Sequence, residues 1–450
     1  MHNIETEKLI TKVKELINES KYSEITPLLE HIHPADIVDM IENLDIEEQV
    51  HVIQALSSEQ AADVIQELDP EEQSRIVELM GTAKSSEILK EMDSDDAADI
   101  IGEMSEDEAE KILDLMSDEG EDVRELLQYD EDTSGGIMAT EYISIKSDMD
   151  VGHTLSFLRK EAPDAETVYY IYVVDDNDHL VGVVSLRDLV VNDFHEKIEY
   201  IMNPDVVYIK ADSDQEEAAN LFKKYGFLTL PVVDEENKLT GIITADDILD
   251  VVEEEATEDM HKFAGTVPLE QPYFSTKISS LWKKRILWLL MLFIAESFTG
   301  KIMSVYQDAL QTFIILSFFV PMLIDCGGNA GAQATATVVR GLAVGDINAK
   351  DIFKVIWREI RVGLMLGLTM AIVAFVRAWI SGGTPAVGIV VSLSVLAIVC
   401  LGTLMGSFLP MVVSKLGFDP AVVAAPIITT VVDSVGLLIY FNIAHMFLNI

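Results

Sequence analysis

The stretch Pro426-Ile-Ile-Thr-Thr-Val-Val-Asp433-Ser-Val-Gly-Leu-Leu-Ile-Tyr440 is apolar except for a few small hydroxyl side chains, one tyrosine and one carboxylate. No other Asp, Glu, Lys or Arg occurs between Asp419 and Ile450. A run of this length and composition reads as a membrane span. A carboxylate inside a span costs about 2.5–3.5 kcal/mol on insertion scales, so it is seldom there without a role, and its default partner is a cation. The alternative is a neutral aspartic acid bonded to a neighbouring helix.

Working back from Asp433, four more apolar runs precede this one, giving spans at 284–305, 309–339, 358–380, 385–413 and 420–448. Lys283-Lys-Arg285 precedes the first, Arg340, Lys350, Lys354, Arg358 and Arg361 lie between the second and third, and Lys415 lies between the fourth and fifth. The alternate connections hold Lys301, with Arg377 near the far end of the third span. The excess of cations on one side places the N-terminus in the cytosol and the C-terminus outside. Polar groups gather in two spans. The second holds Pro321, Asp325, Gly327-Gly-Asn329, Gly331, Gln333, Thr335 and Thr337; the fifth holds Pro426, Thr429, Thr430, Asp433 and Ser434. Irregular backbone survives at membrane depth only inside protein or beside water, so these prolines and glycines are read as breaks lining a cavity. Asp325 is read as pore mouth or helix cap, and Glu296 as path lining or helix packing. Cys326 and Cys400 fit small apolar packing positions, and neither a disulfide framework nor a zinc pattern follows from them.

The region ahead of the spans is acidic. Residues 261–450 carry 13 Lys+Arg against 9 Asp+Glu; of totals of 31 and 77, this leaves 18 against 68 in residues 1–260, a net of −50. Such a region repels itself when compact, and bound cations relieve the strain. No basic stripe exists to neutralise phosphates, so nucleic acid is excluded as a partner. The N-terminus lacks a signal-peptide pattern, and the first 260 residues are expected in the cytosol. A link at 250–280 is acidic at Glu253-Glu-Glu255 and Glu258-Asp259 and is broken by Pro268 and Pro272.

The acidic part has two textures. From Met40 to Met116, a pair of aliphatics returns every 12 residues, from Met40-Ile41 and Val52-Ile53 to Ile112-Leu113, each followed three residues later by Leu or Met. The next residue is Asp45, Ser57, Asp69, Gly81, Asp93, Ser105 or Ser117, and six of these seven have side chains that cap helices. Capping boxes are expected at Asp45/Glu48, Ser57/Gln60 and Ser105/Glu108. Helices of about two turns do not stand alone in water, so stacking into an α-solenoid follows. At Thr133-Ser-Gly-Gly136 the period changes. Val168–Val174, the turn at 175–178, Leu180–Val184 and a helix from Ser185 return as Leu228–Val233, 234–237, Leu239–Ile243 and a helix from Thr244. This tandem β-α-β-β-α order resembles a pair of CBS domains.

The whole chain resembles the MgtE family of magnesium channels and transporters. The resemblance is carried by Gly327-Gly-Asn329, by Thr429-Thr-Val-Val-Asp433-Ser-Val-Gly-Leu-Leu-Ile-Tyr440, by Asp164-Ala-Glu-Thr-Val-Tyr-Tyr-Ile-Tyr-Val-Val174, by Arg187-Asp188 and by Glu255-Ala-Thr-Glu-Asp259. It implies a multi-domain fold: an all-α superhelical N domain at 1–130, an α/β tandem CBS region at 131–197 and 198–254, a connecting helix and linker at 255–280, and a five-helix transmembrane domain at 281–450. It implies a homodimer in the cell membrane with one pore on the two-fold axis, where Asp433 holds Mg²⁺. Regulatory Mg²⁺ is implied at Asp95, Asp99, Glu216, Asp247, Glu255, Glu258, Asp259 and Asp419. At 226 this chain has Gly where some relatives carry an acid. ATP is implied for the CBS pair, with Asp188 binding ribose hydroxyls and Tyr170 and Arg187 near base or phosphates.

The expected function is therefore Mg²⁺ import that Mg²⁺ itself closes by binding the acidic domains. The competing classes are a CBS-regulated permease for another solute such as Co²⁺, and a membrane-anchored enzyme or nucleotide sensor. No Ser/His/Asp set, phosphate loop or histidine cluster supports catalysis.

Overall fold

The computed structural model describes residues 2–19, 21, 24–42, 44–162, 165–269, 273, 276–422 and 425–448. Pro272, read above as a break, and Asp164 lie outside them. The chain divides into two compact units, Met1–Glu253 and Glu254–Ile450.

In the first unit, helices begin at residues 34, 46, 58, 70, 82, 94, 106 and 118, each 12 residues after the last. Every aliphatic pair of the repeat is buried, and so is every Leu or Met that follows it. Helices two apart pack together, as Ile46–Ala55 does on Pro70–Met80 and Ser94–Gly102 on Asp118–Leu126. Alternate helices thus share a continuous apolar core, the solenoid expected from the period. Fully burying one such aliphatic side chain contributes about 1.5–3 kcal/mol, which short helices need because propagation alone does not sustain them.

The caps differ in detail from the expectation. Asp45/Glu48 forms a complete capping box, and Ser57 accepts from the Gln60 amide without the return bond. Ser105 makes no cap; its hydroxyl donates instead to the Glu108 carboxylate at 2.9 Å. Asp93 precedes its helix without capping it.

The CBS region holds two three-stranded sheets. In the first, β1 (Ser144–Lys146) runs parallel to β2 (Tyr170–Val174), which pairs antiparallel with β3 (Leu180–Ser185). In the second, β4 (Ile209–Lys210), β5 (Thr229–Val233) and β6 (Leu239–Thr244) repeat that order. The hairpin turns use left-handed Asp178 and Asn237, residue types that tolerate positive φ. The two hairpins are stitched reciprocally: the Leu180 amide donates to the Asn237 carbonyl and the Leu239 amide to the Asp178 carbonyl. Tyr172 and Thr229 hydroxyls meet at 2.8 Å between the sheets.

In the second unit, five helices are long and apolar enough to cross a membrane among the described residues: Ile278–Val305, a second comprising a 3₁₀ segment (Ile314–Phe319) followed by the helix Val320–Ala343, then Ile352–Ile380, Pro385–Lys415 and Ala425–Leu448. The first and third begin six residues ahead of their apolar runs, because helical turns bearing Lys and Arg continue beyond the hydrocarbon. The stretch read as the start of the second span is a separate short helix, Gln307–Thr312. The fourth span packs on the second, third and fifth, and the first leans on the fifth.

The glycines of the second span do not break it. Val320–Ala343 is continuous, with Pro321 in its first turn, and Pro426 sits in the first turn of Ala425–Leu448. The glycines instead allow close packing. A Cβ on Gly402 would lie 2.3 Å from the Gly327 carbonyl oxygen, and one on Gly328 would lie 2.8 Å from Thr429 Cγ2. Small residues at helix crossings are how membrane helices approach, since lipid gives no hydrophobic drive.

Candidate functional site

Asp433 lies in the ninth position of the helix Ala425–Leu448, about 12 Å from its start at 1.5 Å per residue. It is 7% exposed, and its Oδ1 is buried with no hydrogen-bond partner among the described residues. Burying an acceptor unsatisfied is costly, and for a charged one more so. The absence of a donor on Oδ1 runs against the reading of a neutral acid bonded to a neighbouring helix, and leaves that oxygen available to a cation. Thr429 and Thr430, one turn earlier, donate to the carbonyls of Ala425 and Pro426. Ser434 shares a 3.0 Å hydrogen bond with Thr299 of the first span. The other charges that bear on Asp433 are Glu296, from that span, and Asp325, from the second.

Asp325 is not a helix cap, as Phe319 precedes the helix and Asp325 lies in its second turn. It begins a polar stripe. Asp325, Asn329, Gln333 and Thr337 follow at intervals of four and are exposed in the single chain, whereas Gly327, Gly331, Thr335 and Val338 face inward. Thr335 donates to the carbonyls of Gly331 and Gly406, so the buried side is satisfied. A row of amide and carboxylate groups does not face lipid without cost.

Outside the spans, the first unit gathers acids. Asp95 is 8% exposed, and burial first, then Asp247, Asp96 and Glu166, holds its carboxyl well above the usual range. Burial likewise raises Asp93, Glu141 and Asp247, pushes Asp96 up to about 7, and takes Glu166 up to about 9. Gln66 donates to Asp96 at 2.5 Å, Ser94 to Glu141 at 2.8 Å and the Thr244 hydroxyl to Asp247 at 2.6 Å. Asp247 is thus the largest charge acting on Asp95. Asp99 is exposed one turn on and bears on Asp96. Glu216 is exposed in the first turn of Gln215–Tyr225, and the largest charges acting on Asp95, Asp96 and Asp247 come from elsewhere. Asp93, Asp96, Glu141 and Glu166 were not singled out from the sequence. Asp93 carries a clue, since it stands where a cap belongs and its carboxylate faces Glu166 instead. Gly226 has its own duty, closing Gln215–Tyr225 with φ +68°, where a side chain is strained.

In the second unit, Glu255, Glu258 and Asp259 are half-buried on the helix Asp247–Phe263. Burial, then Asp419, raises the Asp259 carboxyl. Glu258 and Asp419 both pair with Lys262. All these donors are hard oxygens, the chemistry that suits Mg²⁺ rather than a softer metal. Among the described residues, no three Asp, Glu, His or Cys side chains are gathered closely enough to hold an ion.

Tyr170 stands opposite Ser185 in the β2–β3 ladder, so it and the helix start bearing Arg187 and Asp188 share one end of the first sheet. Asp188 completes a capping box with Ser185, a role the sequence reading did not assign it.

These features define a class: a multi-pass membrane protein whose spans follow an acidic helical solenoid and a tandem CBS pair. A family model described as a divalent cation transporter matches residues 320–443, the MgtE intracellular N domain matches 32–132, and CBS domains match 134–193 and 198–254. The magnesium transporter MgtE of Thermus thermophilus is 43% identical over 328 residues, 73% of each chain. That of Bacillus subtilis is 38% identical over 331 residues, 74% of this chain and 73% of that one. Among solved structures, the cytosolic domain of the Mg²⁺ channel MgtE in complex with ATP is similar, with 41% identity and a TM-score of 0.52 over 54% of this chain and 99% of that one. The soluble part of a magnesium transporter aligns at 34% identity with the same TM-score, over 56% and 99%. The chain belongs to the MgtE family of divalent cation transporters.

Proposed function

We propose that this chain imports Mg²⁺ through a pore formed by two copies in the cell membrane, and that cytosolic Mg²⁺ closes the pore by binding the acidic domains. The observation that carries the reading is the buried, unpartnered Oδ1 of Asp433. Mg²⁺ surrenders its water reluctantly and is commonly held by one or two carboxylates with several waters retained. One Asp433 from each copy on a two-fold axis supplies two. The exposed stripe Asp325, Asn329, Gln333 and Thr337 supports the second copy, which would enclose it together with water. Lys and Arg between the second and third spans support a cytosolic N-terminus.

Regulation follows from the acids. Without a cation, the compact arrangement forces the acids around Asp95, Asp96, Glu166 and Asp247 either to hold protons or to repel one another; with Mg²⁺ shared between them, it is favoured. The ion needs only a higher affinity for the compact form, and several weak sites together supply a few kcal/mol. Glu216, Asp99, Glu255, Glu258, Asp259 and Asp419 are assigned to the same regulatory set. The segment 255–280 would transmit closure to the transmembrane domain at 281–450 from the N domain at 1–130 and the CBS domains at 131–197 and 198–254. The tandem sheets would hold ATP at Tyr170, Arg187 and Asp188, as the ATP-bound relative suggests. The relatives are transporters, and the chain is assigned no enzymatic step.

Uptake into liposomes, with Mg²⁺ and Co²⁺ offered separately and in competition, tests the assignment. Mg²⁺ entry blocked only weakly by excess Co²⁺ is expected. Co²⁺ entry with none of Mg²⁺ would move the chain to the second reading, a permease for another divalent metal.

A further inference from the structure

The carboxylates assigned to divalent regulation in the second unit already have a cation among them. Lys262 Nζ lies 2.7 Å from Glu258 Oε2 and 2.9 Å from Asp419 Oδ2. Glu258 is one turn earlier on the same helix, whereas Asp419 belongs to the segment ahead of the fifth span. Asp419 is divided: Oδ1 accepts from the Ala421 amide at 2.7 Å and closes its own turn, leaving Oδ2 for the lysine. Asp259, half-buried next door, feels Asp419, Lys262, Glu258 and, more weakly, Arg340. Two carboxylates therefore share one ammonium, which joins the helix to the segment before the fifth span across 157 residues of chain.

An ammonium on a four-carbon stem is a point charge that swings but does not leave. A divalent ion bridging Glu258 and Asp419 needs the same two oxygens. We infer that Lys262 is a tethered competitor: it occupies Glu258 and Asp419 when no divalent cation is bound, and must swing away for one to bridge them. It thereby sets the concentration at which this site fills. It also holds the helix to Asp419 in the metal-free protein, so the resting state is loosened less than the acids alone would dictate. The inference rests on the regulatory reading above and adds the residue that tunes it.

The test uses the full-length protein in detergent, with Mg²⁺ alone as ligand and chymotrypsin cleavage within residues 263–276 as the readout, cut sites fixed by mass spectrometry. Wild type gives the Mg²⁺ concentration for half-protection. A partly exposed ion pair contributes at most about 1 kcal/mol, so removing the competitor shifts that midpoint about two- to fivefold. Lys262→Gln is expected to halve cleavage at a Mg²⁺ concentration lower by that factor, and to be cut faster than wild type in chelator. Lys262→Arg, which keeps the charge, is expected to stay within twofold of wild type on both measures. A Lys262→Gln midpoint equal to or above that of wild type overturns the competition while leaving regulation intact. Absence of Mg²⁺ protection in wild type overturns the regulatory reading and this inference with it.

Discussion

Asp45 accepts the Glu48 amide at 2.9 Å, and Glu48 reaches back to the Asp45 amide at 3.3 Å, so two first-turn donors are satisfied by one pair. Ser105 occupies the equivalent place without meeting a backbone amide. Thermal unfolding should separate them: Asp45→Ala is expected to cost about 1 kcal/mol, and Ser105→Ala a small fraction of that. The buried acids make a second prediction at this scale. Asp95, Asp96 and Glu166 titrate higher folded than unfolded, so in the folded state they keep protons that the unfolded chain has released. The stability these acids contribute is then greatest below the ordinary carboxylate range and is lost as pH rises from there through about 7 for Asp96 and about 9 for Glu166. In chelator, the melting temperature of the first unit should fall between pH 5 and pH 8. Glu166→Gln should flatten that fall, and Mg²⁺ at tens of millimolar should do so more fully. A flat profile in chelator would contradict the clustering of these acids.

The helix period was legible because each element obeys a local rule. Aliphatic pairs at Val52-Ile53 and Val64-Ile65 recur at 12 residues, and the helices begin at that spacing. The CBS hairpins were legible from the same kind of signal, since Asp175–Asp178 and Asp234–Asn237 are turn residues between β-branched runs. The second span was misread because Gly327, Gly328 and Gly331 have two uses that look alike in sequence. A glycine breaks a helix where the backbone is exposed, but admits a neighbour where one is available, and only the approach of Gly402 to the Gly327 carbonyl tells which applies. Gly402→Leu should force the second and fourth spans apart and cost at least about 1–3 kcal/mol, the usual penalty for overpacking. Loss of the monodisperse peak in detergent, with Gly300→Ala as a control where no neighbour lies within 4 Å and φ is ordinary, would check it.

Over the whole molecule, the acids that meet across distant sequence were the least legible. Glu141 and Glu166 come to Asp93, Asp95 and Asp96 only through the fold, and no spacing announces them. The same holds for the sorting of the second span into a packed flank and a polar flank. That sorting predicts contact between copies: Asn329→Cys, placed on the polar flank of a protein lacking Cys326 and Cys400, should crosslink to its counterpart under mild oxidation. Cysteine placed at exposed, apolar Ile372 of the third span should not. The central claim is that one buried carboxylate binds the ion in transit. Mg²⁺ entry into liposomes reconstituted with equal amounts of wild type and Asp433→Ala tests it most directly. The variant is expected to fold, to elute as wild type does and to lose most of the flux; entry at the wild-type rate would contradict the account.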